Sequence, residues 1–143
     1  MRNKIMPGIC IVAIPYLFVF ASYFIFRHYL PGVSFSSHKD GLGAALSSYA
    51  GTMIAILIAG MTFMIGSRTR KLSKIREYGY MTSVVIVYAL SFVELGVLFF
   101  AGVLLISSID GYMLPTVAIG IAAASFAHIC MLVIQLYNFT HES

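Results

Sequence analysis

The chain has 143 residues, 60% of them hydrophobic and only 10% charged, with a mean hydropathy of +0.94. A soluble domain carries about a quarter charged residues and solvates its surface with them, so this composition excludes a water-soluble globule and makes lipid the solvent for most side chains. Nine Lys and Arg against five Asp and Glu leave a net charge of +4, but these cations sit in short segments between apolar runs, a placement that orients a membrane protein rather than building a nucleic-acid surface.

A spanning helix needs about 20 apolar residues, and four runs qualify. The first, residues 5–26, follows Arg2 and Lys4 and contains Pro7 and Pro15. It exceeds the roughly 7–15 residues of a signal-peptide core, and Arg27 and His28 follow it with no small-residue cleavage site. It therefore reads as an uncleaved span over about residues 5–27. A Ser-rich connection with Pro31-Gly32 punctuation leads to the second run, residues 41–67, with a span at 42–66. A basic loop, 67–78, comes next. The third run, residues 78–109, has Glu94 as its only charge and a span at 79–107. As one continuous helix it would reach about 48 Å, enough to tilt or protrude. A tight turn at Asp110-Gly111 opens the fourth run, residues 111–140, with a span at 113–137 and His128 as its only ionisable interruption. Alternating short segments, which a barrel needs, do not occur. Helices remain the only way to satisfy the backbone in hydrocarbon, so the expectation is one all-α integral membrane domain, a four-transmembrane-helix bundle.

Cation placement sets the orientation. Arg2, Lys4, Arg68, Arg70, Lys71, Lys74 and Arg76 fall on one side and Arg27 and Lys39 on the other, seven against two. That bias predicts both termini and the basic loop in the cytoplasm of a cell with an inner membrane. Tyr78, Tyr80 and Tyr137 at one level, with Tyr29 and Tyr112 at the other, fit interfacial anchors.

Three groups of residues stand out. On the second span Gly43, Ser47, Gly51, Ala55 and Ala59 recur at every fourth position, and the fourth span repeats this with Thr116, Gly120 and Ala124. Small residues so spaced let helices approach closely, either inside the monomer's own bundle or between copies in a homo-oligomer. Glu94 lies near the centre of the third span, where an ionised carboxylate costs at least about 2.5 kcal/mol. His128 comes at matching depth on the antiparallel fourth span, and Ser91 lies one turn from Glu94, so the three form a candidate midplane polar site. A Glu–His pair there either fixes helix register or relays protons and gates. Arg68, Arg70, Lys71, Lys74 and Arg76 put five cations into nine residues; such a segment grips anionic lipid headgroups or docks an acidic cytosolic protein. Cys10 and Cys130, each inside an apolar run, read as packing residues, and His28 and His38 lack ligand spacing. No phosphate loop, nucleophile elbow or paired carboxylates occur. No enzyme activity, cofactor, metal site or direct nucleic-acid binding is expected.

These features point first to a non-enzymatic inner-membrane scaffold or sensor, homo-oligomeric, recruiting a soluble cytosolic partner through its basic face. Two rivals stay open: an ion- or proton-conducting pore or small transporter using Glu94 and His128, and an immunity protein that meets a toxin within the bilayer. In layout, with the segment RTRKLSKIREYGY at residues 68–80 between two hairpins, the chain resembles the small four-span membrane subunit of Kiwa-type bacterial anti-phage systems. That resemblance implies a membrane oligomer that detects phage action at the envelope and holds a cytosolic effector.

Overall fold

A computed structural model describes residues 5–32, 35–66, 81–107 and 111–140. Uninterrupted runs of Leu, Ile, Val, Phe and Ala with polar residues spaced far apart leave the backbone no partner but itself in hydrocarbon, and each run coils into one helix. These are α1 (Ile5–Tyr29), α2 (Lys39–Gly66), α3 (Met81–Ile106) and α4 (Met113–Thr140). Their 25, 28, 26 and 28 residues correspond to about 38–42 Å, and all four are long and apolar enough to cross a membrane. The fold is the four-helix membrane bundle that the composition predicts.

One 3-10 turn, Phe35–His38, feeds directly into α2, whose first turn carries Asp40, a favourable charge at a helix N-terminus. Gly111, just before α4, has φ of +145°. L side chains clash in that region, so glycine is required where the chain turns into the last helix. Residues 67–80, which hold the basic loop, lie outside the described residues, as do the ends of the long third run beyond Met81 and Ser107.

Helix α3 packs against all three others, and α4 packs against α1, α2 and α3. The two thus form a central pair, with α2 on one side and α1 on the other. The 3-10 turn touches both α2 and α4. The core is built from Leu46, Ala50, Leu57 and Met64 of α2, Val84, Val87, Leu95, Leu98 and Leu105 of α3, and Ala118, Ile129 and Leu132 of α4. Helix α1 is peripheral: Gly8 and Pro15 are its buried residues, and Leu17, Phe18, Phe20, Phe24 and Ile25 face outward.

The closest approach in the bundle joins α2 to α3. A Cβ placed on Gly43 would meet the Gly102 carbonyl oxygen at 2.5 Å and Leu105 Cβ at 3.0 Å, while one on Gly102 would meet the Gly43 carbonyl oxygen at 2.8 Å. Ser47 Oγ donates to the Phe99 carbonyl at 3.2 Å across the same seam. Backbone here rests on backbone, which only small residues permit. Helix α4 meets α1 more loosely: a Cβ placed on Gly120 would meet Val19 Cγ1 at 3.4 Å.

Adding a methyl at that seam must force the helices apart. We expect Gly43→Ala or Gly102→Ala to lower stability by about 1–3 kcal/mol, and Gly51→Ala, which meets nothing within 4 Å, to leave it unchanged or raise it by up to about 1 kcal/mol. Reversible unfolding in mixed micelles separates the two outcomes.

A polar layer at mid-depth

Six polar side chains, drawn from all four helices, gather in the middle third of the bundle: Tyr16 of α1, Tyr49 of α2, Ser91 and Glu94 of α3, and Ser125 and His128 of α4. Glu94 and His128 are at its centre. His128 Nδ1 lies 2.8 Å from Glu94 Oε2, with the imidazole fully buried and the carboxyl side chain 6% exposed. Tyr16 Oη donates to the other carboxyl oxygen, Oε1, at 2.5 Å. His128 Nε2 lies 2.9 Å from the Val12 carbonyl oxygen. The tyrosine and imidazole rings are tilted at 53° with centroids 5.8 Å apart.

These contacts fix where protons can sit. A carbonyl only accepts, so Nε2 must carry hydrogen. Two arrangements then satisfy the Nδ1 contact: imidazolium donating to carboxylate, or neutral imidazole accepting from a carboxylic acid. One proton is shared in either case, and the pair is neutral overall, the least costly state in hydrocarbon. Losing that proton would set a carboxylate against the Nδ1 lone pair. Gaining one leaves acid and imidazolium side by side, each still able to donate.

Local sequence explains the geometry. Pro15 has no N–H for the Ile11 carbonyl and its ring crowds that turn, loosening the helix where Val12 offers its second lone pair to His128. Tyr16 follows at once and reaches over the carboxyl. On the other flank Tyr49 Oη and Ser125 Oγ are 3.2 Å apart, and Ser125 also donates to the Ala122 carbonyl of its own helix at 2.8 Å. Two polar ties of the peripheral helix α1 to the central pair, from Tyr16 and to the Val12 carbonyl, thus run through Glu94 and His128.

Of the sequence-predicted residues, Glu94 and His128 come together. Ser91 is buried one turn away, but its Oγ has no hydrogen-bond partner. The every-fourth-residue row on α2 divides: Gly43 and Ser47 pack on α3, whereas Gly51, Ala55 and Ala59 are exposed. On α4, Ala124 is buried and Gly120 faces α1, while Thr116 Oγ1 donates to the Tyr112 carbonyl at 2.7 Å. Arg68, Arg70, Lys71, Lys74 and Arg76 lie outside the described residues. Cys10 and Cys130 are on the bundle's outer surface rather than in its core. The sequence signals that would have added Tyr16 and Tyr49 are their positions far from the interfacial belts where tyrosine normally sits; Ser125 would have followed from lying three residues before His128 on one helix face.

Fold and site together define a small four-span membrane protein with a proton-sharing polar layer buried at its centre. The chain belongs to the RexB family, described as a membrane-anchored ion channel and Abi (abortive infection) component, whose family model matches residues 6–143. It is 77% identical to the protein rexB of Escherichia phage lambda over 142 residues, 99% of each chain. No solved structure matches it. The likeness to a Kiwa-type subunit therefore holds at the level of a membrane component of phage defence, and the family shown is RexB. The family description names a channel, the first of the two rivals to the scaffold.

Glu94→Gln retains an acceptor for Tyr16 and a donor for neutral His128, so we expect it to cost less than about 1 kcal/mol. Glu94→Leu strands both partners and should cost about 1–3 kcal/mol. A double-mutant cycle between Tyr16→Phe and Glu94→Leu should return a coupling of about 0.6 kcal/mol, the average for hydrogen bonds between membrane helices, and at most about 1.7 kcal/mol; additive effects would mean that the hydrogen bond contributes nothing.

Proposed function

We propose that this protein conducts ions as a homo-oligomer in the inner membrane, as part of a phage-defence system, with the outward face of α2 turned toward neighbouring copies and the pore. Within one bundle, the described core on either side of the Glu94–His128 layer is packed with Leu, Val, Met, Ile, Ala and Tyr88, whose apolar side chains offer an ion no replacement for its hydration shell. A conducting path then has to form between copies.

The observation that carries this assignment is a row along α2. Gly41, Ala45, Ser48, Thr52, Ala55, Ala59, Thr62 and Gly66 follow one another at spacings of four and three, every one of them is exposed, and none is larger than threonine. The row lies opposite the buried positions Leu46, Ala50, Leu57 and Met64. A repeat of seven residues keeps a seam that drifts only about 20° per heptad and suits helix–helix contact. Ile56, Ile58, Phe63 and Ile65 flank the row on α2, while α1, α3 and α4 present Phe18, Val93, Phe100, Val133 and Ile134 outward and carry no comparable row. The hydroxyls of Thr52 and Thr62 donate to the Ser48 and Ile58 carbonyls of their own helix; each retains oxygen lone pairs that can meet a cation or water.

The seven-to-two cation bias supports both termini and the Arg68–Arg76 segment facing the cytoplasm. There the five cations would grip anionic lipid and remain available to a soluble protein that opens or closes the pore, which keeps partner recruitment as an accessory of conduction. No catalysis is assigned to the chain.

A thiol placed on a pore-facing position reacts with a water-soluble reagent, whereas one facing lipid does not. In a background with Cys10 and Cys130 replaced by Ser, Thr52→Cys should let an added thiolsulfonate remove most of the current in planar bilayers, and Ile134→Cys should be unaffected. Block at Ile134→Cys with none at Thr52→Cys would reverse the assignment of the pore face, and a monomer by native mass spectrometry would contradict the oligomer.

A further inference from the structure

Hydroxyls in hydrocarbon need partners, and several in this bundle find one in their own helix, as Thr52, Thr62, Thr116 and Ser125 do. Ser91 is different. It is 1% exposed, and its Oγ is unpartnered, which costs a buried hydroxyl about 1–3 kcal/mol. Gln135 Oε1 is buried and unpartnered as well. Both lie on one side of the Glu94–His128 pair. Ser91 comes one turn before Glu94 on α3, and Gln135 two turns after His128 on α4, both displaced toward the end of the bundle that holds the chain termini. Spacings of three and seven keep each on the helix face that carries its member of the pair.

The opposite side is closed. Ser125 and Tyr49 bond to one another, and beyond them Gly43 rests on Gly102 among Leu98, Leu105 and Ala118. The pair therefore has two unpartnered polar atoms on one side, set among Val84, Val87, Met64 and Leu132, and on the other side apolar packing whose hydroxyls are already bonded.

We propose that Glu94–His128 is a proton-binding site reached only from the terminus-bearing side, with Ser91 and Gln135 as the relay and water as the carrier. Ser91 Oγ donates and accepts, and Gln135 Oε1 accepts; both can hold a water, which needs two or more polar partners in a buried site. A hydronium arriving by this route gives up one proton and leaves as water. The pair takes the proton in a single new N–H or O–H bond and passes from neutral to +1, as carboxylic acid and imidazolium. Other titratable groups near the pair are Tyr16 on α1, Tyr49 on α2 through Ser125, and Tyr88 on α3 two turns toward the termini. Among the described residues, Arg27, Lys39 and Asp40 are all near the opposite end. The site goes beyond the channel assignment and stands without it, because proton exchange is read on His128 itself rather than on current.

The test uses the full chain, labelled with ¹⁵N at histidine and in the backbone, in lipid vesicles moved into D₂O and followed by solid-state NMR, with His128 assigned by its loss in His128→Gln. The His128 ring protons should exchange while the backbone amides of Leu95 and Leu98 remain protected. Ser91→Ala and Gln135→Leu should each slow that exchange by about tenfold, the equivalent of one hydrogen bond. Ser91→Thr, which keeps the hydroxyl, should retain the wild-type rate, and Ser125→Ala on the closed side should leave it unchanged. Ring protons as protected as the Leu95 and Leu98 amides, an unaltered rate in both relay variants, or equal slowing by Ser125→Ala would each overturn the proposal. Loss of current with normal exchange, or the reverse, tells failure of the pore apart from failure of this site.

Discussion

A carboxyl group in the middle of a membrane helix needs a partner, and in this bundle that partner is an imidazole on the adjacent antiparallel helix, 2.8 Å away. Much of the architecture follows from that contact. It sets the register of α3 against α4, because sliding either helix by one turn would leave a buried charge alone, at a cost of several kcal/mol. It also recruits α1, whose apolar contacts with the core are few. Tyr16 takes the second carboxyl oxygen and Val12 takes the second ring nitrogen, so the most peripheral helix is held by its polar middle.

Helix α2 is held by a different principle. Among the described residues it makes no direct hydrogen bond to the Glu–His pair and instead presses Gly43 onto Gly102, where dispersion between close backbones acts beside the Ser47–Phe99 hydrogen bond. Its far side is left with a continuous row of small residues from Gly41 to Gly66. The two attachments divide the labour. The seam at Gly43 holds α2 to α3 backbone against backbone, and the polar layer clasps α1 through Tyr16 and Val12.

The fold was legible in the sequence because hydrocarbon permits so few solutions. Four apolar runs of spanning length leave nothing but four helices, and their cation bias suggests an orientation without any structure. The Glu94–His128 pair was legible for a related reason: two ionisable groups at equal depth in lipid seek each other. Tyr16 was not singled out, because an aromatic residue in an apolar run looks like lipid-facing surface until a neighbouring helix brings a carboxyl to its hydroxyl. The row on α2 was only half visible. Counting in fours from Gly43 picked out a set that winds from the α3 seam at Ser47 to the exposed surface at Ala59. The straighter exposed row alternates fours and threes, and it emerges once the buried side of the helix is known. What Ser91 faces was beyond any sequence signal, since serine in a membrane helix ordinarily bonds back to its own carbonyls.

Everything above depends on the carboxyl and imidazole being in contact in lipid, in the one tautomer that also satisfies Val12. The most direct measurement is magic-angle-spinning NMR of the full chain in phospholipid vesicles, with ¹⁵N in histidine and ¹³C in the glutamate side chain. The account predicts dipolar transfer between His128 Nδ1 and the Glu94 carboxyl carbon at hydrogen-bonding range, with Nε2 carrying hydrogen. No transfer, or a neutral ring protonated at Nδ1 alone, would contradict it.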